Sequence, residues 1–259
     1  MTGSDFQVNP SFLPVLRSLG LDSFEKIMAQ PSQAVMRSVP GRATVRLQIG
    51  PLIAYLKRYE PEYYSLPQRA LRALRIARDE ARHEWNMIDT LQQHGFKTAT
   101  RIAYGHRGNH SFVMTQEIAG GVPADEYMRT LKPRARREFV VRIAELTREF
   151  HGGGFIYKDY YLSHIFVANG EMHFIDLQRV KGPHRFQRRW LVKDLGALAY
   201  SAQLAGATHA DLMKFYKVCF ERSKLDATDK RLIRRILQRM ARLHERPPKY
   251  DVIWDASSR

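Results

Sequence analysis

The sequence predicts an α+β protein of two lobes: a small antiparallel β-rich lobe over residues 1–118 and a mostly helical lobe over 119–259. Three observations carry this. Strand-like alternation and turn dipeptides crowd the first part of the chain. One long helical pattern interrupts them. Past Gly120-Gly121 the periodicity is helical, broken by a single small hairpin.

The elements follow in order. The opening forty residues are broken by Pro10, Pro14, Gly20, Pro31 and Pro40, which predicts short helices. Val45, Leu47 and Ile49 then alternate with Arg46 and Gln48, and PLIAYLKRY follows across Gly50-Pro51, the pattern of a hairpin. A helix is expected from Pro67 to about His94, stopped by Gly95. RIAYGHRGNHSFVMTQEI reads as two strands around a Gly-Asn turn. From Pro133 to His151, Phe139, Ile143, Leu146 and Phe150 share one helical face, with proline at its start and GGG after its end. HIFVA and MHFIDL flank Asn169-Gly170 as a second hairpin. Helices are expected at about 193–205, 209–222 and 228–245, the middle one opened by a capping box of Thr208 and Asp211.

Chemistry gathers in two strings, YKDYYLSHIF at 157–166 and FIDLQR at 174–179. Asp159 stands in a polar loop after the glycines, where an acid can take the proton of an attacking hydroxyl. His164 lies five residues on, and Asp176, at the end of MHFI, is a hard oxygen ligand for Mg²⁺. Phosphoryl transfer needs such a base and metal carboxylate together with a lysine on a strand. Lys57 ends the run PLIAYL, and Glu84 on the following helix is placed to pair with it. Taken singly, each has a plainer reading: a turn aspartate, a solvated lysine, a core histidine. Their joint order favours the kinase constellation.

These strings resemble the lipopolysaccharide kinase family, the WaaP/InaA-type heptose kinases of the protein-kinase-like superfamily. YKDYYLSHIF is similar to that family's H-R-D stretch and its following C-H-F. FIDLQRV is similar to I-D-L-H-R, and RRWLVKDLGALAYS to R-R-W-x-x-K-D-L; GRATVRL, ARHEW, GHRGNHSF and VMTQEI also have counterparts. The resemblance implies a protein-kinase-like fold that uses ATP and Mg²⁺. It implies Asp159 as base, Asp176 and His164 as metal ligands, Lys57 on the phosphates and Glu84 as its partner. Gln116, Glu117 and Ile118 become an adenine-facing hinge, and Asp194 a buried brace for the catalytic loop. His164 stands where most protein kinases have asparagine; octulosonic acid kinases keep that asparagine, so the histidine favours a heptose acceptor. The chain departs from the pattern at Tyr157-Lys158, which replace His-Arg. It also carries only Gly41 in the nucleotide-covering loop. These departures leave a catalytically inactive kinase-like binding module, or a kinase for another sugar, as the alternatives.

Charge bounds the partners. With 42 Lys+Arg against 26 Asp+Glu, the net charge is +16, which calls for an anionic partner. Arg69, Arg72, Arg75, Arg78 and Arg82 recur along one expected helix, and Arg231, Arg234, Arg235, Arg239 and Arg242 along the last. These suit the anionic surface of the inner membrane, an acidic carrier protein and the lipopolysaccharide core. Arg185, Arg188, Arg189 and Lys193, just past the metal strand, are the candidates for acceptor anions. Zinc-finger spacing, an RNA-recognition aromatic motif and a basic zipper are all missing, so nucleic acid is not expected. Cys219 is the only cysteine, which rules out an intrachain disulfide and a thiolate zinc site. The histidines lack H-E-x-x-H spacing, and Gly152–Gly154 precede a loop rather than opening a helix, so neither a zinc hydrolase nor a P-loop is expected. The start lacks a signal-peptide pattern and no run is long enough to span a bilayer. The expectation is a cytoplasmic protein, peripheral on the inner membrane.

Overall fold

The computed structural model describes residues 5–31, 34–39, 42–60, 67, 79–184 and 188–245. It is an α+β fold, as expected, and forms two compact units. Among the described residues, one holds those up to Gln93 with Thr98–Ala119; the other holds His94–Lys97 and the chain from Gly120.

The first unit runs β1 (Asp5–Val8), α1 (Leu13–Ser18), α2 (Phe24–Met28), β2 (Ala34–Val39), β3 (Arg42–Ile49), β4 (Leu52–Tyr59), α3 (Glu80–Gln93), β6 (Arg101–Arg107) and β7 (His110–Gln116); between α3 and β6 lies the two-residue β5 (Lys97–Thr98), whose Lys97 falls in the second unit. Six strands make an antiparallel sheet in the order β1-β6-β7-β4-β3-β2. The β3–β4 hairpin turns at Gly50, whose φ of +58° suits glycine. Strand alternation decides what each face of β4 does. Leu52, Ala54 and Leu56 join Val45, Leu47 and Ile49 in a core capped by Leu16, Phe24 and Ile27 of the short helices. Tyr59 points the other way, into a cluster with Ala81 and Trp85 of α3 and Tyr104 and Val113. Two residues before Tyr59, Lys57 shares the α3 face.

Two strands of the six-stranded sheet were not expected. β1 and β2 are the sheet's edges, pairing with β6 and β3, where the sequence suggested only short helices; α1 and α2 are those helices. Of the helix expected from Pro67, Glu80–Gln93 is described, and residues 68–78 lie outside the described residues.

The second unit comprises β8 (Val122–Pro123), α4 (Ala124–Thr130), α5 (Pro133–Gly152), β9 (Ile156–Tyr157), the hairpin β10 (Ile165–Ala168) and β11 (Glu171–Phe174), β12 (Val180–Lys181), α6 (Arg188–Leu204), α7 (His209–Cys219) and α8 (Ala227–Glu245). The capping box is present: Thr208 accepts from the Asp211 N–H, and Asp211 accepts from the Thr208 N–H at 2.9 Å. Arg136 of α5 also donates to Asp211, at 3.1 Å, tying α7 to α5. A cavity of about 150 Å³, almost wholly apolar, lies between α5, α6, α7 and α8, lined by Ile143, Leu195, Leu198, Leu212, Ile233 and Ile236 among others. Cys219 is buried at the end of α7, and burial pushes its thiol up to about 12. Among the described residues no helix is long and apolar enough to cross a membrane.

Candidate active site

In the first unit, Lys57 and Glu84 meet. Lys57 Nζ lies 2.6 Å from Glu84 Oε1, and the two side chains are only 13% and 3% exposed. An exposed pair would add little; a buried one fixes its ammonium in place, because pulling the two charges apart where water hardly reaches is costly. The expected hinge begins where β7 ends. The Gln116 N–H donates to the Thr100 carbonyl and the Glu117 N–H to the Ile53 carbonyl, both at 2.9 Å, so as donors these two amides are already used. The Glu117 carboxylate is held by Arg46 Nε at 2.8 Å and by the Tyr55 hydroxyl at 3.1 Å. Burial, then Glu117, pushes Tyr55 up to about 12.

The second unit builds the loop that carries Asp159. α5 ends in glycines because the next turn must pass close to other backbone. Gly154 has φ +79°, and a Cβ there would lie 2.7 Å from the His184 carbonyl oxygen. Below the loop is a ring cluster. Phe150 stacks on Tyr160 at 5.6 Å and tilts against Phe174 at 4.9 Å; each such pair contributes roughly 0.5–1.5 kcal/mol beyond its buried area. The Tyr160 hydroxyl shares a hydrogen bond with Thr147 at 2.8 Å, and the Leu162 N–H donates to Ser201 at 2.9 Å. The tyrosine flanking Asp159 is therefore an anchor.

Four contacts define Asp159 and its surroundings. Arg179 Nη1 lies 2.7 Å from Asp159 Oδ1. The Asp159 backbone carbonyl accepts from His164 Nδ1 at 2.7 Å; a carbonyl only accepts, so Nδ1 carries the proton. Asp194 is fully buried, and its Oδ2 accepts from the Tyr157 N–H at 2.8 Å and faces His151 Nε2 at 3.2 Å. Burial pushes the Asp194 carboxyl up, against the opposing pull of His151 and the Tyr157 N–H. Asp194 lies inside α6, which excludes a helix-capping role.

Asp176 is not on the strand. β11 ends at Phe174, and Asp176 follows in the left-handed region, φ 56° and ψ 50°, a conformation costing a non-glycine residue about 1–2 kcal/mol. The buried Tyr157 hydroxyl bridges this corner, facing the Ile175 and Asp176 carbonyl oxygens at 2.8 and 3.1 Å. Its ring also stacks on His164 at 5.8 Å. One side chain thus reaches both strings singled out in the sequence.

Of the other expected residues, Arg189 and Lys193 are exposed on α6 around Trp190. Gly41, Arg185 and the Arg188 side chain lie outside the described residues, as do Arg69, Arg72, Arg75 and Arg78. On α8, Arg231, Arg234, Arg235 and Arg242 are exposed. No group of three or more His, Cys, Asp or Glu side chains able to hold a metal occurs among the described residues. A carboxylate such as that of Asp176 is a hard oxygen donor of the kind magnesium takes one or two at a time, with phosphate oxygens among its other ligands. Sequence reasoning missed Arg179, His151 and the bridging role of Tyr157. Arg179, three residues after Asp176, was within the quoted string FIDLQR.

The model of the lipopolysaccharide kinase (Kdo/WaaP) family matches residues 33–219, well over half of the chain. The chain belongs to that family. It is 27% identical to the lipopolysaccharide core heptose(I) kinase WaaP of Pseudomonas aeruginosa, covering 89% of this chain and 93% of that one. It is 28% identical to the enzyme of the same name from Escherichia coli, covering 78% and 82%. Among solved structures, one of WaaP in complex with acyl carrier protein superposes with a TM-score of 0.69 at 27% identity, over 93% of this chain and 98% of that one. Membership in this family accounts for the shared fold, and it makes the two acids and the buried lysine the residues to question.

Proposed function

We propose that this protein is an ATP-dependent kinase that phosphorylates a heptose hydroxyl of the lipopolysaccharide inner core. The observation that carries the reading is the buried Lys57–Glu84 pair, in a chain whose relatives are named heptose kinases. A fixed ammonium on a strand is what the α- and β-phosphates require. Asp159 takes the proton of the acceptor hydroxyl, with Arg179 orienting its carboxylate. Asp176 holds magnesium, which when bound neutralises phosphate charge. His164, with Nδ1 committed to the Asp159 carbonyl, serves the loop first, and its remaining nitrogen is a poor ligand for magnesium. Asp194, His151 and Tyr157 keep loop and corner in register, so that most of the rate comes from positioning and charge stabilisation. The Gln116–Ile118 segment is proposed to face adenine, with the donor role falling beyond the two amides already used.

The test is transfer of labelled γ-phosphate from ATP to purified core acceptor. The wild type is expected to phosphorylate heptose, and Asp159→Ala to lose about 10²–10⁴-fold in rate. Undiminished transfer by the variant would overturn the role of Asp159. Transfer only to octulosonic acid would replace the acceptor. A kinase-like binding module would show neither transfer nor stabilisation by Mg-ATP.

Partner and location follow from charge. The net charge of +16 suits a protein working at the cytoplasmic face of the inner membrane. There a basic residue near an anionic surface contributes about 1 kcal/mol, and the exposed arginines of α8 are placed for it. A relative is solved with acyl carrier protein; an acidic carrier of that kind is proposed here too, with the apolar cavity between α5 and α8 as the place for an acyl chain. Co-purification of an acyl carrier protein at 1:1 stoichiometry supports this; a stable, active protein purified without any carrier overturns it.

A further inference from the structure

We propose that Asp5 and Gln7 of β1 are positioning residues for the nucleotide site: they fix the rotation of α3 and so keep Glu84 against Lys57. This rests on the kinase reading above, in which Lys57 takes the phosphates, and names what holds the pair. β1 runs antiparallel to β6 with Gln7 opposite Tyr104, and residues two apart on a strand share a face. The Gln7 side-chain oxygen accepts from Trp85 Nε1 at 3.1 Å. An indole N–H only donates, so the amide oxygen must face it. The amide nitrogen is thereby turned to Asp5 and donates to its Oδ1 at 3.2 Å, while Asp5 Oδ2 pairs with Arg82 Nη2. Arg82 and Trp85 are neighbours at i and i+3 on α3, with Glu84 between them in sequence. The side chains close a ring, Arg82 to Asp5 to Gln7 to Trp85, completed by the helix backbone.

The apolar packing beneath α3 sets that rotation only loosely. Tyr59, Ala81, Trp85, Tyr104 and Val113 form the cluster there, and such contacts are non-directional. Side-chain ends lie about 5–6 Å from a helix axis, so a turn of about 20° moves the Glu84 carboxylate about 2 Å, enough to break a contact of 2.6 Å. Hydrogen bonds are directional and resist such a turn. Within the ring the links are unequal. The Arg82 and Asp5 side chains are 50% and 33% exposed, and an ion pair so open to water contributes little by itself. Trp85 is only 6% exposed, and a buried indole N–H without an acceptor is costly. Gln7 therefore supplies most of the effect, and Asp5 orients its amide. Arg101 of β6 ties the far end of the helix through Asp89 at 2.5 Å. Tyr104 ties its start, donating to Asp79 at 2.7 Å. The ring holds the turn between them, which bears Glu84.

The experiment uses the full chain carrying Gln7→Leu, which removes the acceptor at similar size, and the exchange Asp5→Asn/Gln7→Glu, which returns an acceptor to the indole. Gln7→Leu is expected to raise the KM for ATP about tenfold, since small displacements near a reacting group are felt strongly, with the acceptor KM unmoved. The exchange variant is expected to recover much of that loss. A merely structural role for β1 would lower the melting temperature and leave the KM for ATP where it was. An unchanged KM for ATP in an active Gln7→Leu protein, or a loss that the exchange does not reduce, overturns the proposal. A second measurement needs no transfer. Gln7→Leu, Glu84→Gln and the double variant are unfolded in denaturant. If Gln7 acts through the Lys57–Glu84 pair, the two losses overlap and the double variant is less destabilised than their sum. Additive losses overturn the proposal. Overlapping losses in a protein whose wild type shows no transfer support it, and only the kinase reading then fails. Gln7 is exposed and its backbone pairing is untouched, so folding is expected; should Gln7→Leu fail to fold, Gln7→Ala decides by the same measurements.

Discussion

Replacing Tyr157 with phenylalanine removes one oxygen and tests how the Asp176 corner, proposed to hold magnesium, is kept in place. The hydroxyl spans the Ile175 and Asp176 carbonyls at 2.8 and 3.1 Å, and the ring is fully buried, so no water easily replaces it. A net hydrogen bond contributes roughly 0.5–1.5 kcal/mol, and a stranded buried acceptor costs roughly 1–3 kcal/mol. The left-handed backbone of Asp176 costs about 1–2 kcal/mol, an amount of the same size. Without the hydroxyl these two terms no longer balance, and other conformers of residues 175–177 gain population. The expected outcome for Tyr157→Phe is a lower melting temperature and a Mg²⁺ requirement raised about five- to fiftyfold, with the acceptor KM little changed. Tyr157→His, which restores a donor, is expected to recover part of the Mg²⁺ dependence. A Tyr157→Phe protein with wild-type melting and wild-type Mg²⁺ dependence would refute the reasoning.

Three further outcomes are expected. Lys57→Ala removes the cation paired with the buried Glu84 carboxylate and should cost about 3–5 kcal/mol by denaturant unfolding; Lys57→Ala/Glu84→Ala should recover much of this stability while the Mg-ATP thermal shift stays absent. Asp211 is pulled up by burial, but the Thr208 N–H and hydroxyl and then Arg136 outweigh this, so its carboxyl sits below 3.8. Its stabilisation is therefore complete above 3.8 and lost as pH falls through the depressed value, and Asp211→Ala should cost about 1–3 kcal/mol at neutral pH, with the gap closing in strong acid. Asp194 has the opposite sign: burial raises it above 3.8, the native state keeps its proton longer than the unfolded chain, and its contribution declines as pH climbs from 3.8. Melting curves of Asp194→Asn and wild type over pH should shift in the variant's favour as pH rises; a constant difference would refute the assignment.

Much of this was legible because it is written locally. Gly50-Pro51, Gly108-Asn109 and Asn169-Gly170 sit in turns with positive φ at Gly50, Gly108, Asn169 and Gly170, and Thr208 with Asp211 closes a box within four residues. Lys57 and Glu84 were legible from chain order, since strand alternation puts Lys57 on the face that α3 covers. β1 escaped because four residues, DFQV, carry too little alternation, and its partner β6 lies far along the chain. β2 escaped because prolines at 31 and 40 dominate the reading of its surroundings. The family resemblance implied Asp194 as a brace for the loop, but the partners were illegible for the same reason as β1: Tyr157 to Ile175, His151 to Asp194 and Arg179 to Asp159 are tertiary contacts with no local signature. Asp176 was placed at a strand end because its apolar neighbours imitate a longer strand than the backbone forms.

The buried thiol of Cys219, pushed up to about 12, has a practical use. At neutral pH it is neither ionised nor accessible, so maleimide reagents should pass over it. A cysteine introduced on the exposed side of α8 would then be the single labelling position in an otherwise native molecule. A polarity-sensitive dye placed there would report directly whether that arginine-bearing helix approaches lipid vesicles.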